Sequence, residues 1–598
     1  MLLPSLSAAL LAYALQPTTF VAVGPRHSRV AAPPQAVAAA PERESLGRVV
    51  RLDEAGGTEL PEGLVLIEPD RVSESRVGEL VRFGEAGGTG VLLAERCGFY
   101  FAARLDDAPA SGSGSDGALL LGEQLELGWT PDDGWGGVRD HLGRRVDGSA
   151  DGAANGASSL PVFREPVPQQ QRKPIGESVH CGVVALDALT PLGRGQSMAL
   201  FAPDELTEDA GRSALARRVV AAQSELGGLR SVLVLTGVPQ QQEQAVEALR
   251  ASGALENTMV LRASSPMDGV IASHAACSIA QEAGGDVLVV VDDLAPCLAL
   301  WRASCVALRA RGLDVRAEEE GSQQRSMYSR LTERANRRKE GGSTTLLLLQ
   351  PAPSVRAAAA DRKQSYALAD FERAGYSQRA CARVEMLASK GVELTEEVLT
   401  KLGIPSPGSG HPQGGGLRSE YQHLEELTSL VDGHIDLRES LAAAGRSPPL
   451  DPSNSLTRIG VGTAKTLRAA GSTLAMQTVT RALRLELAAA SDPAGCEPRQ
   501  QRRAAAYLAV LQQPSPRPMA LSEEVLLLLA ASEGLLDEAA GRLDADAMAM
   551  LMRSLAEHAA SEKPELLAKI DATGVLLEAA AAELRALLAT HWILARLG

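Results

Sequence analysis

The sequence predicts a multidomain α+β protein with an N-terminal small antiparallel β-barrel, a central α/β domain with a parallel sheet, and a C-terminal helical bundle. Three patterns support this prediction. Short apolar runs broken by Gly, Asp and Pro fill the first part, which is typical of a small barrel. Near-continuous apolar strands alternate with helices in the second, which indicates a buried parallel sheet. The third is almost wholly helical and rich in Ala and Leu.

The composition limits the class of protein. A chain of 598 residues is too long for one core, so about two to four domains are expected. The net charge of -15 argues against a nucleic-acid-binding protein, because such a protein needs a basic face. The seven cysteines form no CxxC pair, so they indicate neither a zinc site nor a disulfide framework. We interpret them as buried or idle thiols in a reducing compartment.

Residues 1–45 are expected to be a targeting leader. Residues 1–15 are apolar and uncharged, too short to span a bilayer, and typical of the apolar region of a signal peptide. Residues 16–40 are rich in Ala, Pro and Val, contain Arg26 and Arg29, and lack acids, as in a transit peptide. This order resembles the bipartite leader of plastids of secondary origin, which we favour; a single secretory signal or a mitochondrial presequence remains an alternative.

The barrel domain is assigned to residues 46–150. It contains six strand-like runs, namely RVVRL, GLVLIEP, GELVRF, TGVLLAE, FYFAARL and LLLGEQLEL. Residues 138–148 are predicted to form a strand that enters and leaves a Gly turn. The polar segment 151–173, rich in Gly, Ala, Ser and Gln, is predicted to be a linker.

The central domain is assigned to residues 174–462 and is organised around residues 183–222. That stretch consists of an apolar turn, a Gly-rich corner, a short apolar strand, a loop and a helix. This is the frame in which a phosphate binds to backbone amides at a helix N-terminus. Further buried strands are predicted at 231–237, 257–263, 286–293 and 344–350.

The loop of this frame differs from a working phosphate-binding loop. Gly211, Arg212 and Ser213 stand where Gly-Lys-Thr/Ser would be, and Leu206 occupies the place of the first glycine. Glycine is needed there because the backbone must approach the phosphate closely. The frame is therefore retained while the phosphate-binding loop is altered.

Two carboxylates follow the apolar strand 286–291. Side chains at the C-terminal ends of parallel strands lie in the crevice where ligands bind. Asp292 is predicted to lie on the metal side of a Mg²⁺ shell, with Ser213 as the hydroxyl ligand. Asp293 suits a helix cap instead.

Residues 351–429 are predicted to be a surface insertion with one or two helices. His411 and His423 within it have no partner at metal-ligand spacing, so we expect them to be exposed loop residues. A further strand is predicted at 430–437, and the polar loop 449–462 presents Arg458. The helical bundle is assigned to residues 463–598.

Six motifs in matching order resemble the alpha subunit of an F-type ATP synthase. They are VRDHLGRRVDG (138–148), ALDALTPLGRGQ (185–196), VVVDDLA (289–295), SRLTERA (329–335), LVDGHIDL (430–437) and SLTRIG (455–460). PMALSEEV (518–525) is also alpha-like, and the serine–arginine loop fits the catalytic beta subunit less well. The resemblance runs from about residue 47 to the C-terminus except for the insertion, and it implies a P-loop-NTPase-type central domain.

The resemblance implies a non-catalytic subunit of an organellar, proton-translocating ATP synthase. Its partners would be the beta and gamma subunits and the peripheral stalk, and it would be peripheral to the membrane through that complex. The thylakoid membrane, on its stromal side, is favoured over the mitochondrial inner membrane. Arg458 falls on the arginine that an alpha subunit lends to the neighbouring beta subunit, where a guanidinium stabilises the charge of phosphoryl transfer. ATP or ADP with Mg²⁺ would bind at Gly211, Arg212, Ser213 and Asp292, with Ser213 and Asp292 on the metal.

The departures from the family argue against activity at this chain's own site. Arg212 is planar and bulkier than the family's lysine. About four extra residues within 201–205 lengthen the loop, judged by the strand–loop–helix motif. Carboxylates beside a phosphate repel it, and four acids crowd the loop, namely Asp204, Glu205, Glu208 and Asp209.

Val238 stands where catalytic subunits have a glutamate base and alpha subunits a glutamine. Valine neither accepts a proton nor orients water, so we expect no hydrolysis at this site. Two alternatives remain open: a nucleotide-free scaffold paralogue of the alpha subunit, and a self-contained hexameric ATPase motor. The motor would need an intact phosphate-binding loop and a base.

Overall fold

The computed structural model describes residues 45–597 apart from the segments 51–60, 62, 71–76, 85–87, 107–116, 132–133, 147–159, 207–209, 312–316, 354–365, 374–377, 396–397, 400–401, 403–416, 462–474 and 491–496. Apart from Ser45, the expected targeting leader lies outside the described residues. The same holds for His411 and for the loop acids Glu208 and Asp209.

The first part of the chain is a closed barrel, as predicted. Its strands are β1 (Ser45–Val50), β2 (Leu64–Pro69), β3 (Glu79–Phe83), β4 (Thr89–Arg96), β5 (Phe99–Arg104) and β6 (Gly117–Gln124). They close in the order β1-β2-β5-β4-β3-β6, with every neighbouring pair antiparallel. Closure leaves no unpaired strand edge, and the interior is filled by apolar side chains such as Ile67, Val81 and Phe83.

The central domain is built on a nine-stranded sheet in the order β17-β16-β10-β15-β13-β11-β12-β7, with β14 paired to β15. The strands are β7 (Gly137–Asp140), β10 (Ser197–Ala202), β11 (Arg230–Leu235), β12 (Thr258–Arg262), β13 (Asp286–Val291), β14 (Asn336–Arg337), β15 (Ser343–Pro351), β16 (Gly433–Asp436) and β17 (Leu456–Thr457). Seven of them run parallel, whereas β14 and β17 pair antiparallel. A separate two-stranded ribbon joins β8 (Ser178–Val179) and β9 (Leu192–Gly193).

The strand β7 corrects the assigned domain boundary. We placed residues 138–148 in the barrel domain, but β7 pairs in parallel with β12, with Gly137 opposite Met259. It therefore forms the edge of the central sheet, and the barrel strands end at Gln124. The four-residue strand GVRD fits either sheet, and only the open edge beside β12 decides between them. The predicted linker also packs in part, since Val162 is fully buried.

Helices cover the parallel sheet. They are α1 (Val184–Leu189), α2 (Arg212–Glu225), α3 (Pro239–Ala251), α4 (Pro266–Glu282), α5 (Ala295–Ala310) and α6 (Ala317–Thr332). The expected apolar turn at the start of the organising stretch is the short helix α1, whose six residues are all buried. Because the sheet is covered on both faces, its strands are almost continuously apolar.

The predicted insertion contains α7 (Leu368–Arg373), α8 (Gln378–Ser389) and α9 (Leu417–Leu430). The first two share a small apolar cluster that includes Phe371 and Val384. In contrast, α9 belongs to the central domain, because its Leu427 is fully buried in an apolar cluster that contains strand residues of the central sheet. A short α10 (Glu439–Ala443) follows β16.

The expectation that His423 is an exposed loop residue was wrong. It lies on α9 with only 1% of its surface exposed, and its ring nitrogens lie 3.2 Å from Gln324 Nε2 and 3.2 Å from Gln350 Oε1. Burial, together with a smaller contribution from the charge of Arg302, lowers the pKa of His423 to about 4. The ring is a neutral hydrogen-bonding residue of the core.

The last part is helical, as predicted. Its helices are α11 (Ala475–Thr480), α12 (Leu483–Ala490), α13 (Pro498–Val510), α14 (Leu521–Ser532), α15 (Asp537–Ala540), α16 (Ala545–Glu562), α17 (Pro564–Thr573) and α18 (Glu578–Leu597). Buried residues of α14 and α1 belong to one apolar cluster, so the bundle and the central domain share a core. Within the described part of the chain, each helix falls short of the length or apolarity that crossing a bilayer requires.

Candidate functional site

The organising stretch places the start of α2 beside the end of β13. The strand β10 ends at Ala202 and α2 begins at Arg212, with Gly211 as its N-cap and no side chain capping it. Ser213 Oγ donates a hydrogen bond to Asp292 Oδ1 at 2.6 Å, and the backbone of Asp292 is held by β11 through Val234. The hydroxyl and carboxylate that sequence analysis assigned to a Mg²⁺ shell are therefore adjacent.

The guanidinium of Arg212 is occupied by carboxylates of its own chain. Its Nη1 lies 2.5 Å from Asp204 Oδ1 and its Nη2 lies 3.2 Å from Asp293 Oδ2. Only 15% of the Arg212 side chain is exposed, so these ion pairs are partly shielded from water. The cation that a phosphate would have to meet is thus neutralised from two sides.

Asp293 has the capping role expected for it. Its Oδ1 accepts a hydrogen bond from Ala295 N at 2.7 Å, at the start of α5. Burial raises the pKa of Asp293, while the charge of Arg212 opposes that rise. The carboxylate therefore serves both the helix start and the Arg212 ion pair.

The described part of the loop before α2, which leaves out residues 207–209, places an apolar and an acidic side chain near the start of the helix. Leu206 packs against the main apolar core instead of leaving room for backbone approach. Asp204 is mostly exposed yet reaches back to Arg212. The Ser213–Asp292 pair retains oxygen ligands that suit Mg²⁺, but the positive charge beside it is already paired.

Val238 lies at the position that would supply a base. It precedes α3 directly after β11 and is 59% exposed. An aliphatic side chain at the water-accessible end of a parallel strand offers neither a proton acceptor nor a hydrogen bond.

Arg458 lies on the surface at the other end of the sheet. The strand β17 pairs Thr457 with Gly433, and Gly433 pairs with Met198 at the start of β10. Arg458 is therefore level with the amino ends of the parallel strands, whereas Arg212 lies beyond their carboxyl ends. The strand rise of about 3.3 Å per residue separates these levels by roughly 13 Å over the four steps from Met198 to Ala202.

The guanidinium of Arg458 is held at the end of α9. Its Nη2 donates to the carbonyl oxygens of Thr428 and Val431. Carbonyls at a helix C-terminus are unpaired and carry partial negative charge, so they attract a cation. This contact orients the exposed Arg458 side chain. It uses Nη2, so the N–H groups on the other two guanidinium nitrogens do not bond to these carbonyls.

Two positioning residues for this loop were missed by sequence reasoning. Gln196 is fully buried, accepts from Gly193 N at 2.5 Å and donates through Nε2 to Ile459 O at 2.7 Å. Asp432 accepts from Ser197 N and Oγ at 2.9 Å each, and its carbonyl accepts from Arg458 N. Both residues lie inside motifs that resemble the family, at 185–196 and 430–437. Membership in these motifs was the sequence signal that could have identified them.

Comparison with known proteins shows what the central domain is similar to. Residues 182–362 match the model of the ATP synthase alpha/beta family, nucleotide-binding domain. The chain is 26% identical over 425 residues to the ATP synthase subunit alpha of Streptococcus uberis, covering 67% of this chain and 68% of that protein. The same subunit of Vesicomyosocius okutanii is 27% identical over 413 residues, covering 67% and 69%. That of Ruthia magnifica is 35% identical over 166 residues, covering 27% and 31%.

A buried carboxyl at the carboxyl end of β16 should make stability depend on pH. Burial raises the pKa of Asp436, the charge of Arg438 opposes that rise and the charge of Asp451 adds to it, and the net pKa is about 6. The folded state then holds its proton more tightly than the unfolded state, so the contribution to stability is present below about pH 4 and is lost as pH rises to about 6.

Asp436→Asn removes this penalty and is expected to raise the free energy of unfolding at pH 8 by about 3 kcal/mol relative to its effect at pH 4. Urea unfolding followed by tryptophan fluorescence at both pH values measures the difference. Exposed Glu557→Gln serves as the control and should give a small, equal change at both pH values. An Asp436→Asn effect of the same size at pH 4 and pH 8 would contradict the assignment.

Proposed function

We propose, from the premise that the central domain belongs to the ATP synthase alpha/beta family, that this chain is an alpha-type, non-catalytic subunit of an organellar, proton-translocating ATP synthase. The similarity to alpha subunits over about two thirds of the chain supports an alpha-like subunit. The barrel, sheet and helical bundle follow in the order that the sequence resemblance implies. Beta and gamma subunits and a peripheral stalk are its proposed partners, and they would provide its contact with the membrane.

The placement of Arg458 carries the proposal. The residue is exposed and lies at the sheet edge opposite to the chain's own nucleotide-type site, so it has no role there. A guanidinium fixed by the end of α9 and presented to solvent suits delivery to a neighbouring subunit. There it would stabilise the negative charge that develops on the transferred phosphoryl group.

The chain's own site is proposed to be catalytically inactive. No step of hydrolysis is assigned to it, because Arg212 is paired with Asp204 and Asp293 and Val238 is not a base. Bound ATP or ADP would have to displace Asp204 from the guanidinium and enter a loop that retains two acids among its described residues. Gly211, Arg212, Ser213 and Asp292 would then form the phosphate and Mg²⁺ contacts.

The second candidate is a scaffold that assembles without nucleotide. The closure of Arg212 by two internal carboxylates favours it over the hexameric motor, which requires a base and an accessible phosphate-binding cation. The two leading candidates differ in whether Arg458 affects turnover in an assembled complex and whether the loop binds nucleotide.

Arg458→Ala is expected to lower ATP hydrolysis by a complex reconstituted with a beta subunit by about 10³–10⁵-fold. Assembly should persist, because the Arg458 side chain is exposed and its hydrogen bonds among the described residues go to the carbonyls of Thr428 and Val431. Hydrolysis is measured by phosphate release and assembly by size-exclusion chromatography. The matched control is exposed Arg553→Ala on α16, which should leave turnover unchanged. Unaltered turnover with Arg458→Ala would refute a finger role and favour the scaffold.

The isolated chain is expected to bind MgATP so weakly that about 1 mM ligand does not saturate it, because the phosphate-binding loop is altered. Asp204→Asn should increase the affinity by up to about fivefold, because it releases one side of the Arg212 guanidinium from a mostly exposed carboxylate. Isothermal titration calorimetry with MgATP measures both affinities. Exposed Glu247→Gln is the control for removal of a negative charge. Micromolar binding by the unaltered chain would contradict the proposed degeneracy of its site.

The leader is proposed to direct the chain to a plastid, on the stromal side of the thylakoid membrane, with the mitochondrial inner membrane as the alternative. Residues 1–45 fused to a fluorescent protein are expected to accumulate in plastids of a host whose plastids are of secondary origin. Replacing Arg26 and Arg29 by glutamate should abolish that import, because transit segments lack acids. Mitochondrial fluorescence or retention in the secretory pathway would contradict the plastid assignment.

A further inference from the structure

Three ligand-type side chains converge where the central domain meets the helical bundle. His180 Nδ1 lies 3.2 Å from Asp187 Oδ2 and 3.9 Å from Glu524 Oε2. One ligand atom from each residue lies within 4.8 Å of the other two. His180 follows β8, Asp187 lies on α1, and Glu524 lies on α14. The cluster therefore joins residues up to 344 positions apart in the chain, the separation of His180 and Glu524.

Surrounding groups orient two of the three ligands. The carbonyl of Met519 can only accept, so His180 Nε2, 2.8 Å away, donates to it. That hydrogen bond fixes the ring and directs Nδ1 towards the carboxylates. Both oxygens of Asp187 accept from Cys181 N at 3.0 Å. Backbone contacts of this kind fix the rings and carboxylates of metal ligands.

The environment of Glu524 is the main evidence for a bound ligand. Its side chain is fully buried, and neither of its carboxylate oxygens has a hydrogen-bond partner of suitable geometry among the described residues. His180 Nδ1 also lacks such a partner. A buried carboxylate without a hydrogen-bond donor is costly. A second carboxylate close to the same point increases that cost unless protons or a metal cation lie between them.

We propose that His180, Asp187 and Glu524 form a structural site for a divalent transition-metal ion, with Zn²⁺ as the best match. Imidazole together with carboxylates suits zinc, whereas Mg²⁺ and Ca²⁺ sites use oxygen ligands. Zinc bond lengths of about 2.0–2.2 Å in a tetrahedron separate neighbouring ligand atoms by about 3.3–3.6 Å. The separations of 3.2 and 3.9 Å from His180 Nδ1 to the two carboxylates lie close to that range.

The ion would tie the helical bundle to the first unit of the central domain. Its ligands come from both parts, so binding stabilises the folded arrangement over the unfolded chain. Zinc binding displaces the protons that the cluster holds and releases them to solvent. The site lies apart from Arg212 and Arg458, and the inference does not rest on the proposed function.

Protons are the competing occupants. Burial by itself lowers the pKa of His180, but Asp187 and Glu524 raise it to about 10. Burial also raises the pKa of Glu524 well above its usual range. A protonated cluster would hold an imidazolium beside a shared carboxyl proton, and the test below separates that arrangement from a metal site.

The full-length chain, stripped with chelator and dialysed, is titrated with Zn²⁺ alone by calorimetry at pH 7.5. We expect one site with a Kd below about 1 μM and a rise in Tm on saturation. Glu524→Gln and His180→Gln should each weaken binding by at least about 100-fold and abolish the Tm rise. The matched control is His141→Gln, because His141 also faces a carboxylate, with Nε2 3.7 Å from Asp268 Oδ1; it should bind like the unaltered chain.

Co²⁺ substitution gives a readout of geometry, since a tetrahedral site gives strong visible absorption that the two cluster variants should lack. Circular dichroism of each zinc-free variant checks folding. If His180→Gln fails to fold, Glu524→Gln decides the question, because it keeps the size of the side chain and removes a buried charge. The absence of saturable zinc binding, or equal binding by Glu524→Gln, would overturn the proposal and leave the protonated cluster as the occupant.

Discussion

The buried side chain of Gln196 fixes the relation between the Gly-rich corner and the arginine loop. Its oxygen accepts from Gly193 N and its amide donates to Ile459 O, 263 positions away in the sequence. Because Gln196 is fully buried, loss of either bond would leave a polar group unpaired at a cost of about 1–3 kcal/mol. The position of Arg458 therefore depends on the first strand of the sheet, and Asp432 reinforces that link through Ser197.

The same sheet supports two sites of opposite character. At its carboxyl edge, a phosphate-type frame persists while its cation is paired internally with Asp204 and Asp293. At its amino edge, Arg458 is exposed and held by helix carbonyls. The parallel sheet takes no chemical part in either site. It sets the distance between the two edges and keeps the arginine loop in register. The internal pairing of Arg212 at one edge is thus compatible with an exposed Arg458 at the other.

Local patterns were most informative where one element decides the structure. The six barrel runs and the buried strands follow from alternation and apolar length alone, and the structure confirms them. The run at 137–140 was assigned to the wrong sheet because pairing with β12 is a long-range choice. His423 was expected in solvent because its segment is polar, but it occupies the buried side of α9 and meets Gln324 and Gln350.

The sequence by itself determined the chemical groups available to this protein: an arginine where a phosphate-binding lysine would be, a valine where a base would be, and Arg458 within a serine–arginine loop. Only the tertiary structure decided what those groups meet. Asp293 reaches Arg212 from 81 positions away, and Glu524 reaches His180 across the chain. The physical reason is that periodicity and spacing encode local conformation, whereas ion pairs and ligand clusters between distant residues depend on how helices and strands pack.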